Sequence, residues 1–235
     1  MGAVLLWVLP VPGSAEVVGA RYEGETTRYP HGVLGDEIEY DTLVVTLSDG
    51  REMRARWEAI LVFEDTEPRL WDLDGDGAPE IVTVESHETE GARLSVWRAD
   101  DTGLRIVAHT PFIGQRFRWL APIAAADLDQ DGAIEIAYVD RPHLAKTVRI
   151  WRWQETEGGA RLEEVASAAS FSNHRIGWPY IEGGIRHCGD REPELILARG
   201  DWSAVMALSL DDGKIRSREL APYSPRAMAR ALACR

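Results

Sequence analysis

Asp72, Asp74 and Asp76 stand at alternate positions, Gly77 follows the third, and Glu80 lies three residues beyond it. Alternate carboxylates in a tightly curled loop can turn inward together. Gly77 lets the backbone bend sharply enough to present the Ala78 carbonyl as a further oxygen, and Glu80 completes the set from the start of the next strand. The same arrangement returns 55 residues later as Asp127, Asp129, Asp131, Ala133 and Glu135. Neither set contains His or Cys. All-oxygen donors favour calcium over zinc or copper, and a flexible layout with many ligands favours calcium over magnesium. The expected cofactor is Ca2+ at two sites, in a structural role.

The pattern is not an EF-hand. The twelfth position from Asp72 is Thr83 and from Asp127 is Tyr138, where an EF-hand needs a bidentate Glu, and the residues that follow read as strand. Catalytic motifs are not evident. The histidines at 31, 87, 109, 143, 174 and 187 lie in no nucleophile, zinc or acid-base signature, and no serine has a G-x-S-x-G setting. The candidate ligand surface is Arg116 and Trp119 with His174, Arg175 and Trp178, cationic and aromatic groups that neighbouring repeats could bring to an anionic or sugar ligand. Packing between repeats accounts for the same spacing and is the stronger reading of it. Cys188 and Cys234 match no zinc or thioredoxin spacing and fit one bridge in an oxidising compartment.

The elements that must hold these residues repeat as well. Each acidic loop runs into a β-branched segment, residues 81–84 and 136–139, and a second strand ends in Trp97 in one copy and Trp151 in the other. A third copy lies 59 residues beyond the second: residues 194–197 answer 135–138, and Phe171, Arg175 and Trp178 answer Phe112, Arg116 and Trp119. There Arg186 and Cys188 stand at the first two ligand positions, so no ion is expected and a disulfide replaces it. Upstream, residues 42–48 and 51–57 flank Asp49-Gly50, the residue pair of a two-residue type I′ hairpin. Ser224 and Pro225 open an alanine-rich run that reads as a short C-terminal helix.

The loop-and-strand pattern resembles FG-GAP or VCBS repeats, the calcium-binding repeats of integrin α propellers and of many secreted bacterial proteins. The resemblance implies an all-β fold, a compact or degenerate β-propeller of about four four-stranded blades, five as the upper count. The expected organisation is a signal peptide over 1–15 and one propeller domain over 16–235, with repeats near 57–111, 112–170 and 171–220. Residues 1–15 carry no charged side chain and end in Gly13-Ser14-Ala15, as a secretory signal does.

Composition limits the partners. With 45% hydrophobic and 28% charged residues the chain is an ordinary globular one, and a formal net charge of −13 argues against nucleic acid. The apolar N-terminal run is too short and too rich in proline to span a membrane. The sequence therefore reads as an exported protein, periplasmic or extracellular, braced by calcium and with a non-enzymatic binding or scaffold role toward a protein or carbohydrate. The alternative is a propeller-framed hydrolase or lyase acting on carbohydrate or phosphate esters.

Overall fold

The computed structural model describes residues 15–189 and 191–235. Apart from Ala15, the expected signal segment lies outside the described residues, as does Asp190. The fold is all-β with one short C-terminal helix. The chain opens with a three-stranded antiparallel sheet, β1 (Val17–Thr26), β2 (Glu39–Leu47) and β3 (Glu52–Arg56), with β2 in the middle.

Three antiparallel blades follow in chain order. In the first, β4 (Leu61–Phe63) and β5 (Arg69–Trp71) share the inner edge of β6 (Glu80–His87), followed by β7 (Gly91–Asp100) and β8 (Gly103–His109). The second is β9 (Leu120–Ala126), β10 (Glu135–Asp140), β11 (Thr147–Thr156) and β12 (Gly159–Ala169). In the third, β13 (Phe171–Ser172) and β14 (Gly184–Arg186) share the edge of β15 (Glu194–Arg199), followed by β16 (Ala204–Asp211) and β17 (Lys214–Pro222). The expected set of about four blades thus takes the form of three four-layered blades plus a three-stranded sheet, joined to the first blade through the Tyr40–Phe63 pair.

The second strand of each blade is buried on both faces, which is why residues 81–84, 136–139 and 195–198 run in β-branched and apolar side chains rather than alternating with exposed polar ones. Alternate residues of that strand serve different neighbours. Ile81 packs toward Leu43 and Val45 of β2, whereas Val82 and Val84 join Ile136 and Tyr138 of the second blade. Ala137 and Val139 turn the other way to Leu195 and Leu197. Ile196 and Ala198, on the far face of β15, pack under Met228 and Ala231 of the helix α1 (Pro225–Leu232). The stack therefore begins with a sheet and ends with a helix, and both cover an apolar face that would otherwise meet water.

The expected hairpin is present with a different turn. Leu47 N–H donates to Arg51 O and Gly50 N–H to Leu47 O, leaving a three-residue loop in which only Gly50 has a positive φ, 84°. A type I′ turn needs a positive φ at both central residues. Asp49 instead spends its carboxylate on the Arg51 backbone N–H at 2.9 Å and guanidinium at 2.6 Å, which favours the bulged loop. At the other end of the chain α1 starts as its sequence predicts. Ser224 Oγ accepts from Ala227 N–H at 3.1 Å and Pro225 is the first helical residue.

The inner strands position the remaining features. Breaks between β4 and β5 and between β13 and β14 release residues 64–68 and 173–183 to one end of the stack. The β1–β2 loop crosses to meet them. Gly177 N–H donates to Val33 O at 3.0 Å, and Phe117 N–H donates to the Tyr29 hydroxyl at 2.7 Å.

Candidate functional site

Both acidic loops join an innermost strand to the second strand of a blade, β5 to β6 and β9 to β10. The curl is held by the carboxylates themselves. Asp72 accepts from the backbone N–H groups of Gly75 and Gly77 at 2.8 and 3.1 Å, and Asp127 from Asp131 and Gly132, both at 3.0 Å. Glu80 and Glu135 each reach back to a buried backbone N–H at 2.9 Å, that of Leu73 and of Leu128.

These bonds draw oxygens of Asp72, Asp74 and Glu80 within 4.8 Å of one another, and likewise those of Asp127, Asp129 and Glu135. Asp76 and Asp131 are used differently at one oxygen each, accepting from the N–H of Ala78 at 2.7 Å and of Ala133 at 2.9 Å.

Each cluster already contains one cation that sequence reasoning missed. Across the β6–β7 pair, Arg98 places Nε 2.7 Å from Glu80 Oε1 and bonds Asp74 through Nη2. In the second blade Arg152 meets Glu135 at 2.6 Å, Asp129 at 2.7 Å and Asp131 at 2.9 Å. The available signal was the Trp-Arg pair at 97–98 and 151–152, since each Arg follows the repeated Trp.

One guanidinium per loop does not neutralise four carboxylates. Burial pushes the Glu80 and Glu135 carboxyls above their ordinary range despite the adjacent backbone N–H and arginine. Asp129 Oδ1 is buried with no hydrogen-bond donor. The residues therefore fit a hard divalent cation.

The third loop is an internal contrast. Arg186, which the sequence spacing aligns with Asp127, is instead the last residue of β14 and pairs with Glu194 as Ala126 pairs with Glu135; it holds Glu194 Oε2 at 3.0 and 2.6 Å, while Arg218 holds Oε1 at 3.1 and 2.7 Å. Burial opposes ionisation of Glu194, but the two arginines outweigh it and keep the carboxyl below its ordinary range. The Cys188–Cys234 disulfide closes the corner, with Cα atoms 5.7 Å apart, and Arg186 Nη1 donates to Ala231 O in α1.

Residues 72–138 match the family of the FG-GAP-like repeat. This segment is an FG-GAP-like repeat. The match runs from the first acidic loop through the second and into β10, so the FG-GAP-like unit here is phased loop to loop and bridges two blades. No curated protein matches the chain significantly. Among the described residues no helix is long and apolar enough to cross a membrane, and a stable disulfide belongs to an oxidising compartment.

The surface residues divide into two groups. Trp119 is 2% exposed, packs in the core between the first and second blades, and donates its Nε1–H to Glu64 O at 2.7 Å. His174 is buried against it, with ring centroids 4.9 Å apart. Arg175 and Trp178 belong to another cluster, where the Arg175 guanidinium lies 4.3 Å over Trp202 and 5.4 Å over Trp178. Arg116 stacks 4.5 Å over Phe117.

Between these groups lies a cavity of about 250 Å³ at the loop end of the stack. His31 comes from the β1–β2 loop and His143 from the β10–β11 loop. Nothing local in the sequence marks His143, because only the stacking of blades brings it to Trp119.

Proposed function

We propose that this FG-GAP-like protein is an exported, calcium-braced β-propeller with a non-enzymatic binding or scaffold role, periplasmic or extracellular. The observation that carries the calcium reading is the convergence of three carboxylates in each of two loops, against a third loop whose carboxylate is served by two arginines. Asp72, Asp74, Asp76 and Glu80, with the Ala78 carbonyl, would hold one ion. Asp127, Asp129, Asp131 and Glu135, with the Ala133 carbonyl, would hold the other. Bound there, calcium would offset the carboxylate repulsion that a single guanidinium leaves and tie each loop to its strand.

Extracellular sites of this kind bind at roughly 10⁻⁴ to 10⁻³ M. Calcium at about 100 times Kd stabilises the native state by about 2.7 kcal/mol per site. For a chain of this size that raises Tm by roughly 5–10 °C. The measurement is Tm in chelator and in calcium at roughly 10 to 100 mM, about 100 times Kd, for the wild type and for Asp129→Asn. Equal wild-type values in the two buffers would refute the brace.

The hydrolase or lyase reading draws on the convergence of His31, His143 and His174 near one cavity. The lining supplies imidazoles and guanidiniums but no hydroxyl nucleophile, thiol or carboxylate. Binding is therefore the better-supported role. Turnover of p-nitrophenyl esters, phosphates or glycosides that disappears in His31→Gln would reverse that preference.

A further inference from the structure

We infer that the cavity at the loop end of the stack binds a small organic anion, a carboxylate or phosphate carried on an apolar, ring-sized body. This deepens the binding role proposed above and rests on it.

The charge of the lining points to an anion. The uncompensated charge of the lining is Arg118, since Arg141 is paired with Asp140 at 2.8 and 3.0 Å and His31 with Glu64, and no carboxylate lines the cavity itself although the chain carries a net charge of −13. Most arginines in this protein are paired with carboxylates. Among the described residues Arg118 has no such partner, and its Nη1 donates only to the Phe117 carbonyl at 2.8 Å. A guanidinium without a counter-ion beside a cavity is a ready partner for a carboxylate or phosphate.

The polar groups are fixed before any ligand arrives. His31 Nδ1 pairs with the carboxylate of Glu64, a fully buried residue that also accepts from Ser86 Oγ. His174 Nε2 faces the Trp178 carbonyl at 2.8 Å, which can only accept, so Nε2 carries the hydrogen and Nδ1 is bare. The His143 Nε2–H must then donate to His174 Nδ1, at 2.9 Å. Burial first, and then the neighbouring histidines, lower the pKa of His143 to about 4, so at neutral pH the ring is neutral, its one N–H is held by His174, and it lines the cavity as wall while Arg118 supplies the donor for the anion.

The walls set the body of the ligand. Phe117, Trp119 and Pro142 form an apolar side, and a volume of about 250 Å³, just below the usual range for drug-sized ligands, limits the occupant to a small one. At the rim Leu144 is 62% and Ile176 71% exposed, large apolar side chains that a bound ring would cover. Two lining residues, Phe117 at φ 57° and Arg141 at φ 47°, hold left-handed backbone that bulky side chains rarely adopt. Such outliers persist where the surroundings over-determine a geometry, and they gather at binding sites.

The test is calorimetric titration of the whole calcium-loaded chain with benzoate, phenyl phosphate, inorganic phosphate and uncharged benzamide. Benzoate or phenyl phosphate should bind, and the stronger of the two identifies the head group. Benzamide and inorganic phosphate should bind at least about tenfold more weakly, because one lacks the charge and the other the ring. Arg118→Gln should lower affinity for the preferred anion by about tenfold or more, and Leu144→Glu, at an exposed rim position, should abolish binding without unfolding the protein. Arg226→Gln, on the terminal helix, should change nothing. Binding of benzamide as tight as benzoate, or no response to any probe at millimolar concentration, overturns the inference. Silence from every probe condemns this cavity alone, because the calcium-dependent Tm shift reads the brace separately.

Discussion

Glu39 opens β2 at 2% exposure, and its carboxyl is pushed up to about 10 by burial and then by the nearby Glu64, Asp36 and Asp65. It stays protonated in the fold at neutral pH, whereas in the unfolded chain it ionises near the ordinary value of 4.5. The folded pKa is raised, so its contribution is complete below about pH 4.5 and is lost as pH rises toward 10, by up to about 1.4 kcal/mol per pH unit. His143 acts oppositely. Its folded value of about 4 lies below the unfolded 6.5, so stability is present above pH 6.5 and falls as pH drops through that window. Urea unfolding at pH 5, 7 and 9 should show Glu39→Gln flattening the alkaline loss, with the largest gain over wild type at pH 9. A variant that keeps the wild-type slope between pH 7 and 9 would show that another group causes it.

At the scale of the element, what the sequence made legible was local. Asp72 to Glu80 and Asp127 to Glu135 curl through bonds spanning at most seven residues, so spacing alone announced them. Ser224 and Pro225 likewise start α1 within one turn. Arg98 and Arg152 were hidden because their partners depend on strand register, which places Glu135 opposite Arg152 only once β10 and β11 pair. The breaks in the inner strands at residues 64–68 and 173–183, which carry Glu64 behind His31 and His174 behind His143, have no periodic signal at all. The third loop combines both cases. Cys188 and Cys234 were readable as a pair, whereas the clasp of Arg186 and Arg218 on Glu194 was not. The disulfide closes a loop of 46 residues, which the chain-entropy relation values at about 4 kcal/mol. Replacing both cysteines by serine should cost about that much in denaturant unfolding and leave the calcium-dependent Tm shift of the first two loops intact. A loss below about 1 kcal/mol would mean that the two arginines hold the corner unaided.

For the molecule as a whole, stability passes between neighbours, since each blade buries its faces only against the next layer. Calcium would brace the first two blades, and the third leans on a disulfide and on α1. Met228, 2% exposed, is the helix residue set over Ile196, Ala198, Val205 and Ala207. Met228→Asp removes that cover and buries a charge, a change worth roughly 3 kcal/mol or more. In a stack the damage should be uneven. Hydrogen exchange in calcium-loaded protein is expected to lose protection in β15 and β16 first, while β6, β7 and β10 retain it, because Ala137 and Val139 face the frayed blade but Ile136 and Tyr138 remain packed on the first. Uniform loss across all three blades would show instead that the stack unfolds as one cooperative unit, with the terminal helix as essential to the first acidic loop as to the strand beneath it.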